Sequence, residues 1–241
     1  VVLVTDDNTL PISELFTDTL QGEGPAAGRA ASFLRFMGCN LSCEWCDTKY
    51  TWDSTTHDLR AGTTWMTVEA ITERLLNTHS GIVVLTGGEP LLQQEHPAWG
   101  KLLVALSGRR RIHIETNGTV APTRTTLVAA EIITVSPKLP NAGAHRGHQD
   151  PTIRSEYVDL ANNYPGLHLK IVCRTADDVL ATARMAKSLH WPWDRVWVMP
   201  EGTTPIELAE RWPIIAAAAA RYGINATHRL HVLAWGNERG H

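Results

Sequence analysis

The feature that most restricts how this chain can fold is a repeated alternation of short apolar runs with segments of helical period. Ala31 to Met37, Ile82 to Leu85, Ile112 to Glu115, Ile132 to Val135, Leu167 to Val172 and Val196 to Met199 are rich in strand-favouring residues. Each is bounded by turn residues, as strands are. Between them lie helical patterns. Thr67 is placed to cap a helix carrying Val68, Ile71 and Leu75, and another helix is expected near Trp99 to Leu106. Thr175, with Asp177 and Asp178 in the first turn, starts a third, where negative charge suits the helix dipole. Thr204-Pro205-Ile206-Glu207 reads as a capping box with proline at the first helical position. Pro213 is expected to break that helix and Gly223 to end its second half. Pro11 to Phe16 is expected as a short strand or edge piece, and Leu230 to Ala234 as a last strand. Strands separated by helices imply right-handed crossovers and a parallel sheet. The sequence therefore predicts an α/β chain, a partial (β/α) barrel of parallel strands with helices outside, in one domain spanning 1–241.

In such barrels the chemistry sits on the loops that follow the strands. The unusual residues obey that rule. Gly38 to Asp53 reads GCNLSCEWCDTKYTWD and follows the first of the six strands. Thr86-Gly87-Gly88-Glu89-Pro90 follows the second, Glu115-Thr116-Asn117-Gly118 the third and Ser136-Pro137-Lys138 the fourth. Cys173-Arg174 follows the fifth and Met199-Pro200-Glu201-Gly202 the sixth. All would gather on one rim.

Cys39, Cys43 and Cys46 are spaced C-x3-C-x2-C, and Cys173 is the only other cysteine. Clustered thiolates of this kind suit iron–sulfur clusters or zinc. A structural zinc site closes with four ligands, so three are one short unless His57 completes a zinc knuckle, for which the spacing is poor. Three thiolates on a four-iron cluster would instead leave one iron open to a small molecule. The glycine pair reads either as a tight turn or as a close backbone approach to a ligand, with Glu89 receiving a cation. Lys138 reads as a solvated loop charge or a site residue, and Cys173 as a core residue.

A chain of 241 residues, 43% hydrophobic, can bury a large core. A formal charge of −3 gives no broad attraction to nucleic acid or to anionic membranes. Arg109-Arg110-Arg111 has no interleaved aromatics and reads as a solvated strand entrance. No apolar run approaches the ~20 residues that cross a bilayer. The opening residues do not read as a secretory signal, and three cysteines within eight positions do not form a disulfide framework. A soluble, cytoplasmic protein is expected.

C-x3-C-x2-C followed by the GGEP loop resembles the radical S-adenosylmethionine superfamily. The resemblance implies a 4Fe-4S cluster on Cys39, Cys43 and Cys46 whose open iron is chelated by the amine and carboxylate of S-adenosyl-L-methionine. Reductive cleavage of that cofactor then gives a radical that abstracts hydrogen from substrate. It also implies that Gly87, Gly88 and Glu89 meet the methionyl amine and that Trp45 lies near the adenine.

Beyond that core, Leu20-Gln21-Gly22-Glu23-Gly24, Arg35, Cys46-Asp47-Thr48 and the ending Leu-His-x-Leu-x-Trp-Gly-Asn are together similar to the 7-carboxy-7-deazaguanine synthase family. The similarity runs from about Glu14 to the C-terminus. It implies contraction of 6-carboxy-5,6,7,8-tetrahydropterin to 7-carboxy-7-deazaguanine with loss of ammonia, on the route to queuosine, with S-adenosyl-L-methionine returned unchanged. By the same resemblance Leu20, Gln21, Gly22, Glu23, Arg35, Thr86 and His231 serve the pterin substrate. Thr48 would carry Mg2+, with the Asp47 carboxylate a second candidate expected as a neighbour, and Asp47, Glu115, Ser136, Pro137, Lys138, Met199, Pro200 and Glu201 would complete the cofactor contacts. A homodimer and a reductase or flavodoxin-like electron donor are implied as partners. The terminal carboxylate of His241 is a further candidate for the pocket.

Residue chemistry keeps plainer readings beside these. Arg35 offers a planar fork for a carboxylate, or else a structural pair with Glu23. His231 on a last strand is a substrate contact or an ordinary half-buried histidine. The loop Asn141 to Gln149 matches no motif and is expected to be mobile. A glycyl-radical-enzyme activase would share the cysteines and GGEP but has no use for Arg35 with the QGEG segment. A non-enzymatic iron–sulfur electron carrier would not bind S-adenosyl-L-methionine, and a zinc-binding structural protein would hold no iron.

Overall fold

The structure, a computed structural model, describes residues 6–147, 149–236 and 238–240. Its frame is one continuous sheet. In chain order the strands are β1 (Thr9–Leu20), β2 (Ala30–Phe36), β3 (Thr64–Thr67), β4 (Ile82–Gly87), β5 (Arg111–Thr116), β6 (Ala130–Val135), β7 (Leu167–Cys173), β8 (Val196–Pro200) and β9 (Asn225–Ala226). They lie in the order β3-β1-β2-β4-β5-β6-β7-β8-β9. β1 runs antiparallel to β2 and to β3, and every pairing from β2 to β9 is parallel. The sheet is an open, partial barrel, with short edges at β3 and β9.

Helices cover the outer face: α1 (Val68–Leu76), α2 (Pro97–Leu106), α3 (Arg124–Ala129), α4 (Glu156–Asn163), α5 (Ala176–Ser188) and α6 (Pro205–Tyr222). A short α7 (Leu230–Trp235) ends the described chain. The period-two pattern of the strands decides what each face carries. Leu34, Phe36, Val83, Leu85, Ile112, Ile114, Ile133 and Val135 join Ile71, Leu75 and Trp99 in the main core. The alternate residues form a smaller inner cluster of Phe33, Ile82 and Val84, with Phe16 stacked on Phe33 at 5.0 Å. Further along the same inner positions the apolar residues give way to Arg35, Thr86, Glu115 and Lys170. Two residues per repeat thus carry each strand from inner core to site.

Four expectations need correction. β1 is longer than Pro11 to Phe16, with a register shift between Phe16 and Thr19 where Asp18 takes a φ of 60°. The edge strand β3 went unread because its residues are at most half-buried and show no alternation. Pro213 lies inside α6 rather than ending it. The lost N–H removes one bond, but Leu208, Ile215, Ala218 and Ala219 bury one face on both sides of it and carry the helix through. Leu230 to Ala234 is helix and not strand. A short apolar run does not declare its period, and here the sheet ends at β9, whose successor Thr227 already donates to the carbonyl of Val198.

The capping box at Thr204 is formed: its hydroxyl accepts from the Glu207 N–H at 3.3 Å, and the Glu207 carboxylate accepts from the Thr204 N–H at 3.0 Å. Thr204→Ala should therefore lower stability by about 1 kcal/mol, read as a lower denaturation midpoint with the far-UV spectrum unchanged.

Candidate active site

Cys39, Cys43 and Cys46 are free thiols, and all three border one cavity on the rim where β2, β4, β5, β6, β7 and β8 end. The parallel register of β2 and β4, with Arg35 opposite Thr86 and Phe36 opposite Gly87, sets the cysteine loop directly against the GGEP loop. Glycine is needed at that contact. A side chain at Gly87 would meet the Phe36 carbonyl oxygen at 2.5 Å, and one at Gly88 would meet the Gly38 oxygen at 2.1 Å and the Cys39 Cβ at 2.8 Å. Across it, the Glu89 N–H donates to the Gly38 carbonyl at 2.8 Å.

The sulfurs sit among donors. Cys39 Sγ accepts from the Leu41 N–H at 3.4 Å and Cys46 Sγ from the indole N–H of Trp52 at 3.3 Å. The Thr48 hydroxyl is 3.4 Å from Cys46 Sγ. Burial pushes the Cys39 thiol up to about 12 and raises Cys43 as well, so each would have to lose its proton to a bound metal. His57 is exposed, lies edge-on to Tyr50 and does not border the cavity, so it does not complete a zinc knuckle. Among the described residues no three His, Cys, Asp or Glu side chains gather around a single ion. Three thiols bordering one cavity fit a cluster of several irons, which holds each thiolate on a different metal.

Glu89 does not face the cavity. Its fully buried carboxylate accepts from the N–H groups of Leu91 at 3.0 Å and Asn117 at 2.7 Å and from the Thr116 hydroxyl at 2.8 Å. Burial pushes it up to about 7 against three donors that favour the anion. In this structure the side chain fastens the loop after β4 to the loop after β5, and of the three residues expected at the bound amine Gly87 and Gly88 line the cavity.

Arg35 borders the cavity but pairs with Glu14 at 2.8 Å, not with Glu23. The antiparallel register of β1 and β2 places Glu14 beside Arg35. Glu14 also accepts from the Tyr50 hydroxyl and from Arg239, each at 2.7 Å. Glu23 is held instead by Lys170 and by Arg229, the latter at 2.9 Å. Burial alone would raise Glu23; the charges of Lys170 and Arg229 outweigh it and hold the carboxyl well below the usual range. Arg229 also binds Asp47 and the Gly202 carbonyl. Asp47 is thereby engaged by protein, as a neighbour of Thr48.

Glu115 accepts from Gln21 Nε2 at 3.0 Å and from the Thr86 hydroxyl at 2.9 Å, and Gln21 Oε1 accepts from the Glu23 N–H at 3.2 Å. Gly22 lies behind the cavity wall, where a Cβ would come within 2.0 Å of His231 Nδ1. His231 reaches the cavity from α7 rather than from a strand, and burial holds it below its ordinary value, hence neutral near pH 7. On the other loops, Lys138 Nζ is 3.2 Å from Ser136 Oγ and 5.3 Å from the centre of the Trp45 ring. Leu20, Met199 and Glu201 also line the cavity, whereas Pro137 and Pro200 do not.

The structure adds Phe16, Phe33, Trp52, Asn117, Lys170 and Arg229 to the lining. Lys170 carried the same signal as Arg35, a charge inside an apolar strand; Arg229 carried none. Described residues of the Asn141 to Gln149 loop bond to the cysteine loop and to Asp53 rather than standing free. Ala142 accepts from the Glu44 N–H at 2.9 Å, Ser42 donates to Gln149 at 2.7 Å, and Arg146 pairs with Asp53 at 2.8 Å. His148 and His241 lie outside the described residues. The three arginines lie at the opposite end of β5, where Arg110 donates to the carbonyls of Leu76 and Thr78.

The fold and the three-thiol loop mark a radical S-adenosylmethionine domain: the model of the Radical SAM superfamily matches residues 34–210. Membership carries with it an iron–sulfur cluster and S-adenosyl-L-methionine. A 7-carboxy-7-deazaguanine synthase of Pyrobaculum aerophilum is 36% identical over 95% of this chain and 96% of its own. One of Hyperthermus butylicus is 34% identical over 94% and 93%. The chain belongs to the 7-carboxy-7-deazaguanine synthase family. Its fold is similar to the crystal structure of QueE from Escherichia coli, with a TM-score of 0.65 at 24% identity over 92% of this chain and 95% of that one. No helix among the described residues is long and apolar enough to cross a membrane.

Gly88→Ala should force the Gly38 to Cys39 backbone away from the GGEP loop, since the clash is with main chain. We expect reduced iron content after anaerobic reconstitution, with the apo-protein still folded by circular dichroism.

Proposed function

We propose that this chain contracts 6-carboxy-5,6,7,8-tetrahydropterin to 7-carboxy-7-deazaguanine with release of ammonia, as a radical S-adenosylmethionine lyase of queuosine biosynthesis. The observation that carries the reading is that a single cavity is bordered both by the three thiols and by Gln21, Arg35, Glu115 and His231. The bound cluster and S-adenosyl-L-methionine supply the hydrogen-abstracting radical. The protein's own residues bind, orient and exclude water. Arg35 spends its Nε on Glu14 and keeps its remaining guanidinium N–H groups for the substrate carboxylate. Gln21 and Glu115 are locked by their mutual hydrogen bond and by Thr86, so a flat heterocycle meets donors and acceptors already fixed in orientation. Gly87, Gly88, Ser136 and Lys138 are assigned to the cofactor, and Phe16 and Phe33 give the cavity an apolar wall that limits water.

The test is anaerobic turnover of the carboxytetrahydropterin by reduced, reconstituted protein, read by product mass. Absence of the ring-contracted product would refute the reading. Cys43→Ala should lose both cluster and turnover. An activase or a bare electron carrier would give no such product, and the carrier's cluster spectrum would not respond to S-adenosyl-L-methionine.

Arg35→Lys offers a single nitrogen where Glu14 and the substrate carboxylate both need one. It should weaken substrate binding roughly 10- to 100-fold, the worth of one charge-assisted hydrogen bond, while the cofactor still binds. Equal affinity in a titration would remove Arg35 from the substrate site.

Mg2+ belongs to this proposal, with Thr48 Oγ1 as its protein ligand. Asp47 is taken by Arg229 and Glu14 by Arg35, so the remaining oxygens must come from substrate and water. Mg2+ should bind measurably only when the carboxylated substrate is present, and chelation should abolish turnover until the ion is restored. Tight Mg2+ binding to substrate-free protein would contradict this. A homodimer, a single domain over 1–241, a cytoplasmic location and a reductase or flavodoxin-like electron donor complete the proposal. Sedimentation of the purified holoprotein checks the first.

A further inference from the structure

We infer that Trp52 sets the reduction potential of the cluster by donating a hydrogen bond to the Cys46 thiolate. The inference rests on the reading of Cys46 as a cluster ligand and goes beyond it. Indole Nε1–H can only donate, so at 3.3 Å from Cys46 Sγ the polarity of the contact is fixed. Thr48 is also near that sulfur, but its hydroxyl can accept as readily as donate. At Cys39 the closer donor is the backbone N–H of Leu41, which no side-chain change short of proline removes; the Asn117 amide stands off at 3.9 Å. Trp52 is therefore a side chain of fixed donor polarity through which the sequence can control charge on a ligand sulfur.

The ring is also held in place. The Arg146 guanidinium lies over the indole, 5.4 Å from its centre, where a cation is attracted to the ring face and draws electron density away from the N–H. Arg146 is fastened there by Asp53, the residue after Trp52, through contacts of 2.8 and 3.4 Å. Its backbone N–H donates to Ser42 Oγ at 2.8 Å, next to Cys43. The loop without a recognisable motif thus acts on the cysteine loop at this point, as a clamp on the indole. Trp45, the neighbouring candidate, turns its N–H to Asn141 instead, at 3.3 Å.

Reduction adds an electron whose charge spreads onto the thiolates, and a donor to sulfur stabilises the reduced form more than the oxidised one. Cluster potentials respond to hydrogen bonds at sulfur and to solvent exposure. Those two effects oppose each other when Trp52 is shortened. Loss of the donor makes the potential more negative, whereas admission of water around the sulfur makes it more positive. The sign separates an electronic role from a packing role.

The experiment is an anaerobic redox titration of reconstituted holoprotein, followed by electron paramagnetic resonance, for wild type and Trp52→Phe. We expect equal iron content and a more negative midpoint in the variant. An unchanged or more positive midpoint overturns the inference. Wild-type protein without iron, or Cys46→Ala with a full cluster, would refute the ligand reading itself and the inference with it. If Trp52→Phe does not load iron, pulsed resonance on reduced wild type carrying 15N-indole tryptophan decides. A nitrogen coupling to the cluster supports the inference, and its absence overturns it.

Discussion

The site depends on one backbone contact, the seating of Gly87 and Gly88 against Phe36, Gly38 and Cys39. Two parallel strands end side by side, and the loops that leave them must cross within hydrogen-bond distance. Any Cβ at these positions would push the loops apart by more than a side chain could absorb, because the obstructing atoms are main chain. From this contact the remaining placements follow. Glu89, carried just beyond the glycines, turns back to the loop after β5 and pins Thr116 and Asn117, so three of the rim loops are fixed to one another by buried bonds.

Beneath the rim lies a set of paired charges, most of them shielded from solvent. Glu23, Lys170, Arg229 and Asp47 form one group and Glu14, Arg35 and Arg239 another. Within these two groups each carboxylate meets at least one cation, the condition under which a protein interior tolerates such charges, whereas the fully buried Glu89 is held by neutral donors. The arrangement makes the cavity polar without leaving its walls free to reorganise. Directional groups held in advance are what a reactive intermediate needs, since reorientation during reaction would raise the barrier. That Arg229 joins the segment before β2, the cysteine loop and the loop after β8 explains how pieces far apart in sequence keep one geometry.

Much of this was legible before the fold was seen. The parallel strands, the caps at Thr67, Thr175 and Thr204, and the rim position of the cysteines all came from local pattern, because burial and capping write themselves into residue order. Arg35 was legible as a charge in an apolar strand, and Lys170 announced itself the same way but went unread. The partner of Arg35 was not legible. Pairing across an antiparallel edge is set by register, and the register shifts in β1 hide it. The bonds of Glu89 to Thr116 and Asn117 were not legible, because a carboxylate beside two glycines looks the same whether it faces ligand or neighbouring loop. Arg229 and the helix from Leu230 to Trp235 were missed because each depends on where the chain leaves the sheet, which no short window contains.

The bonds that shape the cysteine loop come largely from outside it. Gly38 to Thr51, Glu44 to Ala142, Ser42 to Gln149 and Arg146 to Asp53 all run between protein groups. None of them requires a metal to exist. The loop is therefore tied to the body of the fold by bonds other than those its sulfurs would make, unlike the small zinc domains, which are held together by their ion. The geometry of the three sulfurs is thus indexed to residues distant in sequence, and a change at Ala142, Arg146 or Gln149 is also a change to the cysteine loop.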